Sequence, residues 1–385
     1  MRILQITQSK YYNNEDLLKK TGGVEIYLNN ICKLLKKQGY HSSILAPGSR
    51  KSINKNIIRI KSSQKSKLML LISSLIKKKD FCYNIFSLVK FLIKERNNFD
   101  IYSIHSHTYL DAPIIIFFLR IILRKNVVVT IHGLNEYSTK NIYILQDMLF
   151  WRLVAWFSCL ISNKVIFISL ADKNKLKKMF TPNFYKKFYW IPNSINTDTK
   201  KRKNQNYIKK YFTFIGDLSS GAKGFDLFIK IMVKLHKDFK YRIPVLVLGS
   251  GPLESLLLKN KDKLEIKYLR YIKHDEISKV YNQTKVFFLT SKSEGLPTTI
   301  LEAMLFKVPI IATDIPATRQ IIIDGYNGFL FPPNKPEIGI IKLKKILNNN
   351  KLRIRIINNG RKIVERNYSW ENNFKKILMV YNSIY

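Results

Sequence analysis

At 385 residues the chain exceeds what one hydrophobic core usually supports, and its 46% hydrophobic and 12% aromatic content excludes a disordered chain. Its 67 basic residues against 26 acidic ones give +41, which has two readings: anionic partners such as lipid headgroups, phosphates or nucleic acid, or a lysine-, isoleucine- and asparagine-rich usage of AT-rich coding. Three scattered cysteines, Cys32, Cys82 and Cys159, exclude a disulfide scaffold and fit a reducing compartment.

The chain opens on a short β-rich run, Ile3 to Thr7, too brief and interrupted for a signal peptide, so a cytoplasmic protein is expected. Val24, Tyr27, Leu28, Ile31, Leu34 and Leu35 then fall on one helical face, and Gly39 suits a left-handed cap at its end. Further strands are expected at 43–46, 101–104, 127–131, 164–169, 212–215, 245–248, 286–290 and 309–312, with helical patterns between them. Such alternation predicts parallel sheets.

Between the second and third of these runs, Gln64 to Arg96 mixes large apolar residues with lysines, as an interfacial helix pair or as core helices with snorkelling lysines. His105 and His107 end a strand as IHSH without a carboxylate or cysteine cluster, which predicts structural or cleft-lining roles rather than a metal pair. The apolar stretches Pro113 to Leu119 and Met148 to Ile161 are too short to span a bilayer, and the second carries Arg152, so no transmembrane helix is expected. From Pro192 to Lys210 the composition becomes that of a connector. Two doubly wound domains follow, 1–195 and 196–368. Their ligands are expected in the cleft between them, at the carboxyl ends of the strands.

The segment from Ser291 to Met304, SKSEGLPTTILEAM, carries most of the chemistry and reads strand, loop, helix. Pro297 suits a first helical turn, and the amides of Thr298 and Thr299 face outward from a helix start suited to a diphosphate. Glu294 in the loop and Glu302 inside the helix are acceptors only. They suit the vicinal hydroxyls of a ribose and a sugar.

These residues resemble the retaining glycosyltransferases of family four, whose signature is E-x7-E in this context. The resemblance extends along nearly the whole chain, through TGGVEIYLNNICKLLKKQGY, VVVTIHG, FIGDLSSGAKG, VLGSGP and DGYNGFLF in the family's order. It implies a GT-B architecture of two Rossmann-like α/β domains, a closing helix over 369–385 that includes Trp370 and packs back on the first, and transfer with retention from a UDP- or GDP-sugar. Position by position, it implies that Glu294 binds the donor sugar and Glu302 the ribose. The backbone after Gly295, through Leu296, Pro297, Thr298 and Thr299, would hold the diphosphate, with Lys223 and Gly216 facing it. Gly22 and Gly23 would let the first domain's backbone approach the donor, and His132 would line the sugar. A same-face displacement, with the leaving phosphate deprotonating the acceptor, needs no metal and no cofactor; alignment and positive charge are what the protein supplies. Similar enzymes take glycan or lipid-linked acceptors in cell-envelope polysaccharide, capsule or lipopolysaccharide biosynthesis, which suits peripheral attachment to an anionic membrane.

The sequence departs from the family at several positions. Asp217 stands where the family has a phosphate-binding arginine, a loss of about 1–4 kcal/mol at surface-like dielectric, for which Arg202, Lys209 or Arg270 are candidate replacements. Lys307 replaces a glycine, Pro316-Ala317 a glycine pair, and Gln320 a glutamate. The alternative they motivate is a weakly active or inactive nucleotide-sugar-binding partner subunit. Specific nucleic-acid binding has only the charge in its favour, since no recognised motif accompanies it.

Overall fold

The computed structural model describes residues 1–7, 23–48, 57–60, 83–106, 111–133, 142–197, 208–218, 221–239, 242–273 and 276–385. The chain forms two units, Met1–Asn193 with Asn373–Tyr385, and Ser194–Asn372.

The first unit holds a parallel seven-stranded sheet. Its strands are β1 (Arg2–Thr7), β2 (His41–Pro47), β3 (Ile57–Ile60), β4 (Ile101–Ser106), β5 (Asn126–Ile131), β6 (Lys164–Phe167) and β7 (Phe188–Trp190), in the order β3-β2-β1-β4-β5-β6-β7. Runs such as NVVVTI are apolar on both sides of the pleat, as strands buried on both faces require. One face packs Leu4, Ile6, Tyr102, Ile104, Val127 and Val129 against Ile115, Ile116 and Leu119. The opposite face carries Gln5, Ser103, His105 and Thr130, all buried. Helix α1 (Gly23–Lys37) follows the first strand, and Gly39 beyond it takes the expected left-handed φ of 78°.

Helix α2 (Ile85–Lys94) begins at Asn84, whose side chain accepts from the Ser87 amide at 3.1 Å. Only its half of the anticipated interfacial pair is described, since 61–82 lie outside the described residues. Helix α3 (Asp111–Phe117) runs into a π-helical turn, Phe118–Ile122, and α4 spans Ile142–Ile161. Among the described residues no helix is long and apolar enough to cross a membrane. The strand expected over 164–169 ends at Phe167 because Ser169 caps helix α5 (Leu170–Lys177), accepting from the Asp172 amide.

The second unit holds a parallel six-stranded sheet of β8 (Tyr211–Ile215), β9 (Ile243–Leu248), β10 (Leu264–Leu269), β11 (Thr284–Leu289), β12 (Ile310–Thr313) and β13 (Phe329–Phe331), ordered β10-β9-β8-β11-β12-β13. Its helices include α6 (Phe225–Phe239), α7 (Ser255–Leu258), α8 (Ile277–Gln283), α9 (Thr298–Leu305), α10 (Pro316–Arg319), α11 (Pro336–Asn348) and α12 (Asn350–Asn367). The core is dense in aromatic rings, Phe212, Phe214, Phe225, Phe228 and Phe288 among them. Ile195 bridges Ser369, so the chain's entry into and exit from this unit lie side by side. The last helix, α13 (Trp370–Asn382), starts there and continues into the first unit, where Tyr381 is buried.

In each sheet the winding reverses once, at β1/β4 and at β8/β11. In open parallel sheets ligands bind beyond the carboxyl ends of the strands at such reversals. The loops after β8 and β11 therefore mark the candidate site of the second unit, and those after β1, β4 and β5 that of the first.

Candidate active site

Lys223 follows β8 and Glu294 follows β11, and the reversal between these strands brings their side chains into contact. The Lys223 ammonium donates to both carboxylate oxygens of Glu294, at 2.8 Å to Oε1 and 2.9 Å to Oε2. Ser291 adds a hydrogen bond from its Oγ to Oε1 at 2.7 Å. An ionised carboxylate offers about four acceptor positions, so one remains at Oε2, and the ammonium keeps one further N–H. Glu294 is mostly buried, with 10% of its side chain exposed against 35% for Lys223.

Backbone packing makes this pair rigid. Gly224 has φ 65°, and a Cβ built on it would lie 1.9 Å from the Thr290 carbonyl oxygen. Only glycine fits that left-handed position against another strand's backbone. Thr290 fastens the same turn by donating from Oγ1 to the Gly224 carbonyl at 2.7 Å. Gly216 gives the lysine stem room: a Cβ there would stand 3.5 Å from Lys223 Cγ and 3.3 Å from the Phe214 ring.

Gly295, Leu296 and Pro297 lead into α9, with Pro297 at its N-cap and Thr298 and Thr299 half-buried in its first turn. Glu302 lies further along that helix. The Tyr281 hydroxyl donates to its Oε2 at 2.8 Å and to the Thr299 carbonyl at 3.2 Å. Burial, with the Glu302 charge beside it, pushes the Tyr281 phenol well above its ordinary range, so it stays a donor. Tyr281, Ser291 and Thr290 were not singled out by the sequence reading. Ser291 opens the SKSEG motif, but nothing local ties Tyr281 to Glu302.

Two of the three candidate replacements for the missing arginine are engaged elsewhere. Arg270 grips Glu254 from Nη2 at 2.7 Å and Nε at 3.2 Å. The Gly251 amide, foremost, and then Arg270 hold that carboxyl down at about 2. Lys209 donates to the Phe306 and Lys307 carbonyls at 3.4 and 3.1 Å, beyond the end of α9. Arg202 lies outside the described residues. Asp217 is exposed, so water screens its charge.

Lys307 occupies its glycine position at φ 52°, a left-handed conformation that costs an L-residue about 1–2 kcal/mol. Glycine recovers this, less its greater unfolded-state entropy. Lys307→Gly is therefore expected to stabilise the protein by about 0.5–1 kcal/mol, measured by urea denaturation.

In the first unit Gly23 opens α1, while Gly22 and His107 lie outside the described residues. His132 stands just past β5, partly buried, with its Nε2 3.0 Å from His105 Nδ1 and its ring edge-on to Tyr27 at 5.1 Å. His105 is 2% exposed, which corrects the cleft-lining alternative for it. Two residues after Ser103, it turns to the same packed face as Gln5, and burial pulls its imidazole down to about 3. The titratable groups facing it are His132, Tyr27 of α1 and Tyr381 of α13. A histidine depressed in the folded state is protonated preferentially in the unfolded chain. Its stabilising contribution is complete above about 6.5 and is lost as pH falls toward 3. Urea stability should accordingly drop between pH 7.5 and 5, and less so in His105→Gln.

Among the described residues no group of three or more potential metal ligands gathers.

Residues 21–199 match the model of Glycosyltransferase Family 4, and residues 196–363 that of Glycosyl transferases group 1. An uncharacterized glycosyltransferase of Methanocaldococcus jannaschii is 26% identical over 368 residues, 94% of this chain and 95% of the relative. The capsular polysaccharide biosynthesis glycosyltransferase CapM of Staphylococcus aureus is 25% identical over 235 residues, 58% of this chain and 59% of CapM. The crystal structure of Anabaena HepE in complex with UDP and glucose covers 100% of both chains at a TM-score of 0.72 and 17% identity, a likeness of fold.

Proposed function

We propose that this chain, a glycosyltransferase of GT-B type, moves a sugar from a UDP- or GDP-linked donor to a glycan or lipid-linked acceptor with retention at the anomeric carbon. The Lys223–Glu294 pair at the sheet reversal carries this reading. Glu294 Oε2 has an acceptor position for a sugar hydroxyl, and Lys223 keeps an N–H for the diphosphate that gathers negative charge as the glycosidic bond to it breaks. Glu302, oriented by Tyr281, takes the vicinal hydroxyls of the ribose. The helix start at Pro297, Thr298 and Thr299 faces the diphosphate, with Gly295 and Leu296 shaping the approach and Gly216 making space for the lysine. From the first unit, Gly22 and Gly23 allow close backbone approach and His132 lines the sugar. The reaction is metal-independent in this proposal, positive charge at the leaving group coming from Lys223 and helix amides.

Polysaccharide assembly is supported by the likeness to CapM, a capsular biosynthesis glycosyltransferase. Attachment to an anionic bilayer, from the inner face of the cell membrane, is supported by Ile114, Phe117, Ile121 and Ile122. These are exposed on and after α3 beside Arg120, Arg124 and Lys125.

Calorimetry of the protein in EDTA against UDP- and GDP-sugars tests the donor half. One of the two is expected to bind, with Glu302→Ala weakening it about 10–100-fold, the worth of charged hydrogen bonds to the ribose. Binding of neither donor by folded protein, or equal affinity in the variant, would falsify this assignment.

A further inference from the structure

The amino ends of the first sheet enclose a hollow that the proposed chemistry leaves unused. Arg2 opens β1, Asp100 precedes β4 and Asn126 opens β5, and these three strands are neighbours. Together with Arg124 and Lys125 they line a cavity of about 390 Å³. Six-residue strands set this end roughly 17 Å from the carboxyl ends, so the hollow is no part of the candidate site of the first unit.

The lining is cationic, with three basic side chains against one acid. Asp100 aims Arg2, whose Nη2 donates to Asp100 Oδ1 and to the Asn97 carbonyl, both at 3.0 Å. The N–H groups on Nε and Nη1 are left for a ligand. Arg124 and Lys125 make no ion pair and no side-chain hydrogen bond among the described residues. Their backbone is clamped all the same. The Lys125 amide donates to the Leu119 carbonyl at 2.8 Å, and Arg120 Nη1 donates to the Lys125 carbonyl at 3.3 Å. Arg124 is held there at φ 51°, a left-handed conformation that is strained for a residue with a side chain. Such strain persists where the surroundings over-determine it, and ligand clamps are among the places where it gathers. A fixed turn therefore presents a guanidinium fork beside an ammonium, and the tetrahedral oxygens of a phosphate suit both.

We infer that this hollow binds the phosphate of an anionic lipid headgroup, with Arg124 and Lys125 as its main ligands and Arg2 as a further one. What adjoins the cations sets the source. Ile121 and Ile122, 54% and 57% exposed, close the π-helical turn from which Arg124 and Lys125 emerge. A free phosphate makes no use of exposed isoleucines, whereas a lipid offers acyl chain directly below its headgroup. The inference rests on the membrane attachment proposed above. It adds a fitted site to the general attraction that a chain of +41 exerts on any anionic surface.

Flotation of the full chain with phosphatidylcholine vesicles, with and without phosphatidylglycerol, tests the lipid arm. Titration of inorganic phosphate, followed by nitrogen NMR of the arginine side chains, tests the anion arm, with the Arg124 signal identified by its loss in Arg124→Lys. Wild type is expected to float only with phosphatidylglycerol, and phosphate is expected to shift the Arg124 signal. Arg124→Lys keeps the charge and the backbone strain but loses the planar fork, and should weaken flotation on the order of 10-fold. The Ile121→Ser, Ile122→Ser double variant should weaken it as well, with every charge retained. Equal flotation of wild type and Arg124→Lys overturns the site and leaves membrane attachment standing, as does an Arg124 signal indifferent to phosphate in a wild type that floats. Undiminished flotation of the double serine variant overturns the lipid as occupant. Folded wild type that floats with neither vesicle overturns the membrane reading and this inference together, and a phosphate response at Arg124 would then reassign the hollow to a soluble anion.

Discussion

Glu294→Ala is expected to lower kcat by about 100-fold or more, within the range seen when a charge-stabilising group is removed from a transition state. Two losses combine. The sugar hydroxyl loses its acceptor, and Lys223 loses the two bonds that aim it, at 2.8 and 2.9 Å. A long ammonium stem without that anchor samples other rotamers and no longer presents its third N–H to the leaving diphosphate. Lys223→Ala should cost a similar factor for the complementary reason: the mostly buried carboxylate is left with Ser291 as its side-chain donor. Because the two groups act as one unit, the double variant should be little worse than either single one. Steady-state kinetics on the four proteins of this cycle checks the coupling. Multiplying losses in the double variant would mean that the pair is not a functional unit.

Gly224→Ala should cause the largest loss of stability. The added methyl would sit 1.9 Å from the Thr290 carbonyl oxygen, well inside contact distance, and the residue would hold φ 65° besides. Overpacking and left-handed strain together come to about 3 kcal/mol or more. Relief requires the turn after Lys223 to pull away from β11, which also breaks the Thr290 hydroxyl bond to Gly224. Denaturant unfolding should show the loss, and any folded fraction should have impaired turnover because its Lys223 no longer meets Glu294. Gly221→Ala is the control: among the described residues a Cβ there would meet only Lys292 Nζ, at 3.6 Å, and stability should change little.

The fold was readable wherever strands were long and central. Runs such as VVVTI and FTFI stand out by β-branched and aromatic residues broken only by a threonine, since both faces of those strands are covered. The edge strands did not. Ile57–Ile60, Phe188–Trp190 and Phe329–Phe331 have three or four residues each, too few for a period to show. Leu264–Leu269 alternates with Glu265 and Lys267 at the sheet border, a pattern easily taken for a charged loop. At the site, Glu294, Glu302 and Lys223 stood out through motif spacing. Tyr281 did not, because it acts through a partner that only topology supplies. In the packed face of the first sheet Gln5 likewise meets His105 a hundred residues on and Tyr381 near the other end of the chain. The one local hint was a glutamine inside an otherwise apolar strand, where an uncompensated amide would be costly. The positive φ of Lys307 was foreshadowed by a family glycine at that place, although the strain itself required backbone angles.

Helix α13 bears on how the protein is made. The first core takes a layer from residues synthesised after the second unit: Tyr381 reaches Ser103 across 278 positions, and Asn126 donates to the Ile384 carbonyl across 258. A nascent chain leaving the ribosome therefore cannot finish its first domain when that domain's own strands have emerged. It must keep the Gln5 and Ser103 side of the sheet waiting through translation of the whole second unit. Domains usually complete themselves in order from the N-terminus. Here the order is interleaved, and the first unit is sealed after the second has been made.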